Sequence, residues 1–270
     1  MTKGEGRKKL VMEYRSIKFE IVREVATLTL ARPKKLNALT PDMADEMRHA
    51  LAHTEDARAV LIRSEGRAFC SGADLAAIVT GSDRGEGAYR ALAEHYNPLL
   101  IDIAEHKLPI VAEVNGAAAG IGCSLALACD FCIAGEGAYF LQAFVNIGLV
   151  PDGGASWILP RLIGKSRAAE MLLLGEKIHG PQAQQWGLIH RCVPEIMLEH
   201  SGHALAKKLA SGPTKALGLA KANLFAALEH SRTSTMEAEA EAQRVAAATY
   251  DAEEGITAFL TKRDPAFKGK

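Results

Sequence analysis

Net charge is what this sequence lacks most plainly: across 270 residues, Lys plus Arg and Asp plus Glu each number 32. No overall field draws the chain to nucleic acid or an anionic membrane, so an anionic ligand must be held by local charges. A basic stripe interleaved with aromatics is missing too, which also argues against a nucleic-acid surface. No apolar run reaches the length of a membrane span; the longest, 110–114 and 117–128, are broken by Asn115, Gly116, Gly120 and Gly122. Behind the basic stretch from Met1 to Lys9 there is no signal-peptide core, so residues 1–15 read as a flexible tail and the protein as cytoplasmic.

Cysteine is sparse and odd in number, with five (Cys70, Cys123, Cys129, Cys132 and Cys192), which suits free thiols in a reducing compartment. Cys129 and Cys132 form a C-x-x-C, but no second pair and no His at ligand spacing accompany it. They read as buried small hydrophobes, and no metal site is expected. The Gly-Lys-Ser/Thr of a phosphate-binding P-loop and the dinucleotide pattern G-x-G-x-x-G are absent. So is any repeat of fixed period.

What is present is a 48% hydrophobic chain long enough to bury a large core. Residues 17–22 and 25–30 alternate apolar and polar around Arg23-Glu24, the period of a half-buried hairpin. Thr40-Pro41 supplies an N-cap and a first-turn proline for a helix carrying Met43, Met47, Ala50 and Leu51. A buried strand is predicted at 59–63, a Gly-containing loop at 64–73, a long helix from Tyr89 to His106, and a strand at 109–114. Alternating strands and helices imply an α/β fold with a parallel sheet. From Ser201 onward the composition predicts a helical region (201–270) after a core (16–200), with breaks at Ser211-Gly212-Pro213 and Gly255.

Two loops running into helix starts carry the chemistry: Phe69-Cys70-Ser71-Gly72-Ala73-Asp74-Leu75, and Asn115 to Cys123 with Gly116, Gly120 and Gly122. The first amides of a helix lack internal partners, and small residues admit a ligand close to the backbone. Two such amides converging on one oxygen make an oxyanion hole. Tight turns and close packing explain the same glycines equally well.

These loops, with Arg32 to Leu39, LPIVAEVNGAAAGIGCSLALACD (108–130), IGLVPDGGASWILPRLIG (147–164) and the C-terminal AFLTKRDPAFKGK (258–270), resemble the crotonase (enoyl-CoA hydratase/isomerase) superfamily over nearly the whole chain. The resemblance implies a spiral of ββα turns, a C-terminal helical trimerisation region, and a trimer or a hexamer of two trimers. It further implies an acyl-coenzyme A substrate, with coenzyme A part of that substrate and no other cofactor. By motif position the oxyanion amides are those of Ala73 and Ile121; Ile121 stands where the family commonly has Gly, and its side chain is expected to narrow the pocket. Lys34, Ala73, Asp74, Leu75, Ala76 and Gly122 fall on CoA- and substrate-lining positions. Phe259 and Lys262, three apart and so on one helix face, fall where a neighbouring subunit's nucleotide is met. Arg32 and Lys35 receive no role.

The two glutamates that manage water in the family's hydratases fall on Ser124 and Phe144, and neither is a carboxylate. One acid remains at a motif position, Asp152, in Val150-Pro151-Asp152-Gly153-Gly154. It resembles the acid of the isomerase branches, and the surrounding pattern, with HYNPL at 95–99, looks most like ring-1,2-epoxyphenylacetyl-CoA isomerases. Phe144 is expected to form an apolar wall that raises the Asp152 pKa. Taken without the resemblance, Pro-Asp-Gly is an ordinary turn. A hydratase, a dehalogenase-like use of Asp152 as nucleophile, and a non-catalytic CoA-binding scaffold are the competing readings.

Overall fold

The computed structural model describes residues 10–78 and 83–270. Most of the expected tail, residues 1–9, lies outside them. Within that tail, Leu10–Met12 form a strand, β1, paired antiparallel with β2 (Ile17–Val22), so the tail reading fails for those residues. β2 and β3 (Val25–Leu30) make the expected hairpin: Val22 faces Val25, and Arg23 and Glu24 take φ of 49° and 67°, the left-handed pair that matches strand twist in a two-residue turn. β2 alternates in burial as predicted, but every residue of β3 is buried. β3 lies inside the sheet with a parallel neighbour, β4 (Ala59–Ser64), on its other edge, so both its faces are covered.

The helix α1 (Pro41–Leu51) begins as Thr40-Pro41 dictates, with Thr40 Oγ1 accepting the Met43 N–H at 3.2 Å. The stretch expected to be one loop contains a strand, β5 (Ala68–Cys70), before the short α2 (Leu75–Ile78). The long helix starts earlier than predicted, as α3 (Arg84–Arg90), widens into a π-helical turn at Ala91–Tyr96, and continues as α4 (Asn97–Ala104). The wide turn precedes Pro98, whose missing N–H would leave a gap in an unbroken α-helix.

β6 (Ile110–Val114), β7 (Ala117–Ala119), α5 (Ile121–Leu127), β8 (Phe131–Gly135) and β9 (Tyr139–Leu141) follow, then α6 (Ala155–Ala169), β10 (Ile178–His179), α7 (Gly180–Trp186) and β11 (Arg191–Val193). The main sheet runs β1-β2-β3-β4-β6-β8-β11 and the smaller one β10-β9-β7-β5. Successive pairs β4/β5, β6/β7 and β8/β9 put one strand in each sheet, and helices follow each pair. That repetition is the spiral of ββα turns. The larger core, with Leu28, Ile62, Phe69 and Phe140, fills one side of the main sheet. The other side is covered by α8 (Glu195–Ala210), which buries Leu198 and Ala206 against Leu61, Val111 and Ile133.

α8 runs across the boundary drawn at residue 201. After the expected break at 211–213 come α9 (Thr214–Ala226), α10 (Arg232–Ala247) and α11 (Tyr250–Leu260). Gly255 breaks nothing: it sits inside α11, where a side chain would meet the Phe267 ring at 3.2 Å. The helical region is tied to its own core by Lys221, whose Nζ lies 2.9 Å from Asp130 Oδ2 and donates to the Ile103 carbonyl. Among the described residues, no helix is long and apolar enough to cross a membrane.

Candidate active site

The first predicted amide is aimed by a carbonyl. Leu39 N–H donates to Gly72 C=O at 2.8 Å, and Asp74 N–H donates back to Leu39 C=O at 2.8 Å. Gly72 C=O and Ala73 N–H belong to one planar trans peptide and point in opposite directions. Ala73 N–H is therefore turned away from Leu39, and it has no partner among the described residues. The second amide is built the same way. Gly120 C=O accepts the N–H groups of Cys123 and Ser124 at 2.9 and 3.2 Å, which points Ile121 N–H out of the first turn of α5, again without a partner. Gly120 reaches this geometry at φ 52° and ψ −126°, a region closed to side chains.

The two loops meet. A Cβ at Gly72 would lie 3.3 Å from Ala119 O, and one at Gly120 would lie 3.9 Å from Gly72 Cα. Gly122 is buried, and a Cβ there would meet the Cys70 side chain at 2.7 Å; its visible function is to let α5 settle on β5. Phe144 lies over this junction, its Cζ 3.4 Å from where a Gly120 Cβ would stand.

Asp152 joins them from the turn before α6. A Cβ on its neighbour Gly153 would meet Ile121 Cδ1 at 2.5 Å, Ser124 Cβ at 2.9 Å and Leu100 Cδ1 at 3.0 Å, so the turn is pressed onto α5 and α4. Ser124 Oγ donates to the Asp152 carbonyl at 3.3 Å and steadies it. The Ile121 side chain is 1% exposed beneath this turn; the expectation that it would narrow the pocket gives way to one in which it supports the acid. Asp152 Oδ1 is buried and has no hydrogen-bond partner among the described residues. Burial alone pushes its pKa up, to about 6. At Gly153 the turn meets Ile121, Ser124 and Leu100, and Phe144 lies against Gly120.

Around this centre, Lys34, Leu75 and Ala76 are exposed and Asp74 is half-buried, on the rim of the Ala73 loop. Phe259 is exposed at the end of α11, but Lys262 lies beyond the helix at φ 55°, so the two do not share a helix face. The spacing argument fails because α11 ends at Leu260. Cys129 and Cys132 are buried, as predicted, and burial raises both thiols. Sequence reasoning gave no part to Tyr96, whose buried hydroxyl donates to Leu39 C=O at 2.8 Å, nor to Arg32 and Asn37 in the Leu39 loop. Their sequence signal was their place beside the motif residues. A cavity of about 1420 Å³ beside the N-terminal ends of β4 and β6, lined by Glu24, Glu105, Lys107 and Lys215 among others, includes none of the predicted residues.

The ββα spiral of paired strands and following helices is the fold of the crotonase superfamily. The chain belongs to its enoyl-CoA hydratase/isomerase family, whose model matches residues 20–270. It is 43% identical over 260 residues to a probable enoyl-CoA hydratase of Rhodobacter capsulatus, covering 96% of this chain and all of that one. It is 38% identical over 250 residues to the 1,2-epoxyphenylacetyl-CoA isomerase of Escherichia coli K12, covering 91% of this chain and 95% of the relative. The crystal structure of an enoyl-CoA hydratase from Bacillus anthracis superposes with a TM-score of 0.89 at 30% identity, over 95% of this chain and all of that one.

Proposed function

We propose that this protein is an enoyl-CoA isomerase that moves a double bond within an unsaturated acyl-CoA, with Asp152 as its one acid–base group. The observation that carries the reading is Asp152 itself, a buried carboxyl with an unpartnered oxygen and a raised pKa, next to a turn pressed against Ile121. The thioester oxygen is held between Ala73 N–H and Ile121 N–H. Each donor stabilises the negative oxygen of the transition state by roughly 3–4 kcal/mol. The Asp152 carboxylate takes a proton from C2 of a 3-enoyl thioester; the C2–H electrons form C1=C2 and the carbonyl pair moves onto the held oxygen, and when the carbonyl re-forms the C1=C2 pair becomes C2=C3 while the C3=C4 pair takes up a proton at C4. The Asp152 carboxyl returns that proton, and no electrons or co-reactant enter.

Water addition as the family's hydratases run it calls for two carboxylates, and here Ser124 and Phe144 occupy those positions. Ser124 spends its hydroxyl on the Asp152 backbone. The second reading, a hydratase working with Asp152 alone, is favoured by the 43% identical relative named as one. Lys34, Asp74, Leu75, Ala76 and Phe144 line the path of coenzyme A and the acyl group, Gly122 lets α5 settle on β5 beneath that path, and the exposed Phe259 and Lys262 reach the nucleotide of an adjoining subunit. Exposed apolar residues on the C-terminal helices, including Leu224, Met236, Ile256 and Leu260, support a trimer or a pair of trimers. Five free thiols suit a reducing compartment such as the cytoplasm. Neither a metal nor a further cofactor takes part in this scheme.

The test is to supply a 3-enoyl-CoA and, separately, a 2-enoyl-CoA, and to follow absorbance of the conjugated thioester and mass. Bond migration without gain of water supports the isomerase. Gain of 18 mass units (one water) from the 2-enoyl substrate as the dominant reaction makes the protein a hydratase.

A further inference from the structure

The Arg32 guanidinium donates through Nη1 to the Ala38 carbonyl and through Nη2 to Asp74 Oδ2 at 3.1 Å. Its backbone N–H donates to Asn37 Oδ1 at 2.8 Å. Asn37, fully buried, in turn donates to the Glu65 and Ala68 carbonyls at 2.9 and 2.8 Å, which pins the loop to the start of β5. The Arg32 and Asp74 side chains are only 22% and 19% exposed, so solvent screens the guanidinium incompletely.

Peptide geometry links this cation to the active site. Ala38 C=O and Leu39 N–H share one peptide and point in opposite directions, as do Gly72 C=O and Ala73 N–H. Arg32 donates to the first carbonyl, Leu39 N–H donates to the second at 2.8 Å, and Ala73 N–H is open. Two peptide dipoles thus stand head to tail, with a positive charge at the carbonyl end and a free donor at the other. Hydrogen bonds in series polarise one another by about 10–30% per bond. A cation at that end makes the terminal N–H a stronger donor to a negative oxygen. Tyr96 holds the same strand from the other side, its hydroxyl and Asp74 N–H both donating to Leu39 C=O at 2.8 Å.

We propose that Arg32 is a positioning residue that acts through the Ala38–Leu39 and Gly72–Ala73 peptides to aim and strengthen the Ala73 amide against the thioester oxygen. The inference rests on the reading of Ala73 as an oxyanion donor. The probe is [1-¹³C]butanoyl-CoA, a saturated thioester that can neither take up water nor shift a double bond. Isotope-edited infrared spectroscopy reads its bound carbonyl stretch, and mass spectrometry in D₂O reads exchange at C2. With the wild-type enzyme the stretch moves to lower frequency on binding. Arg32→Gln loses a measurable part of that movement and exchanges about tenfold more slowly, while binding changes less than about threefold, within one hydrogen bond's worth. Arg32→Lys, which keeps a cation near Ala38, recovers most of both.

A second variant tests the chain with Arg32 in place. Replacing Leu39 by its α-hydroxy acid converts the Ala38–Leu39 amide to an ester, removing one N–H and no side chain; the same two losses are expected. A purely structural Arg32 would shift the melting temperature and leave the carbonyl stretch alone. A wild-type stretch and exchange rate in Arg32→Gln or in the ester variant overturn the proposal and leave the oxyanion reading standing. No carbonyl shift in the wild type overturns both.

Discussion

Asp152 is an acid kept short of partners. Its carboxyl is neutral in the folded chain up to about pH 6, whereas in the unfolded chain it ionises near the ordinary 3.8. Between these values the unfolded state gives up a proton that the native state keeps, so native stability falls as pH rises from about 4 to about 6, and the cost is constant above that. Asp152→Asn removes the charge and should raise the unfolding free energy by roughly 2 kcal/mol more at pH 8 than at pH 4, read from denaturant melts. An equal effect at both pH values would mean the carboxylate is well solvated. Activity has the opposite dependence: as a base, Asp152 works ionised, and kcat/KM should climb through a single pKa near 6 and then level off. The identity of the acid was legible in the sequence from its motif position. Its isolation was not, because its burial arises only in the fold, where the adjoining Gly153 is pressed onto Ile121, Ser124 and Leu100.

Among the elements, the turn before α6 and the start of α5 are fitted to each other. Gly153 and Gly154 have similar left-handed φ, 59° and 75°, but a side chain at Gly153 would strike Ile121, Ser124 and Leu100, while Gly154 faces open space. Gly153→Ala should therefore cost roughly 2–4 kcal/mol of stability, against about 1 kcal/mol for Gly154→Ala, as strain plus overpacking compared with strain alone. Calorimetric or denaturant melts of the two variants check this. Similar losses for both would show that the turn can lift off α5, and Asp152 with it. Local signals set much of the element pattern in advance: Thr40-Pro41 began α1, and Arg23-Glu24 turned the hairpin. The direction of Ala73 N–H depends on Leu39, which becomes its neighbour only through the parallel bridge between the two loops. No local spacing encodes that. The Gly255 misreading has the same root: a helix tolerates glycine where a packed ring, here Phe267, needs the room.

At the scale of the whole molecule, the C-terminal segment is strapped across its own core. Asp251, 2% exposed, accepts the N–H groups of Lys268 and Gly269 at 2.6 and 2.8 Å, and Arg58 donates to Phe267 O at 3.2 Å and Gly212 O at 2.5 Å. Asp251→Ala should free residues 264–270, cost roughly 1.5–3 kcal/mol for the lost charge-assisted bonds, and make the C-terminus a faster substrate for carboxypeptidase. Unchanged trimming would place the strap's stability in Arg58, in Glu254, which accepts the Ala266 N–H at 2.7 Å, and in the backbone bond from Asp251 N–H to Lys270 O. The helical character of this region was legible in its composition but its attachment was not, since Asp251, Arg58 and Lys221 are ordinary surface residue types until the fold buries them. The proposed reaction requires this scaffold to hold Asp152 as a base beside the amides of Ala73 and Ile121. The decisive measurement is deuterium uptake at C2 of an acyl-CoA in D₂O by wild-type and Asp152→Ala protein, across pH 5 to 8. Uptake that rises through pH 6 in the wild type and falls at least about a hundredfold in Asp152→Ala is the predicted result; uptake undiminished by the substitution would contradict the assignment of Asp152 as the base.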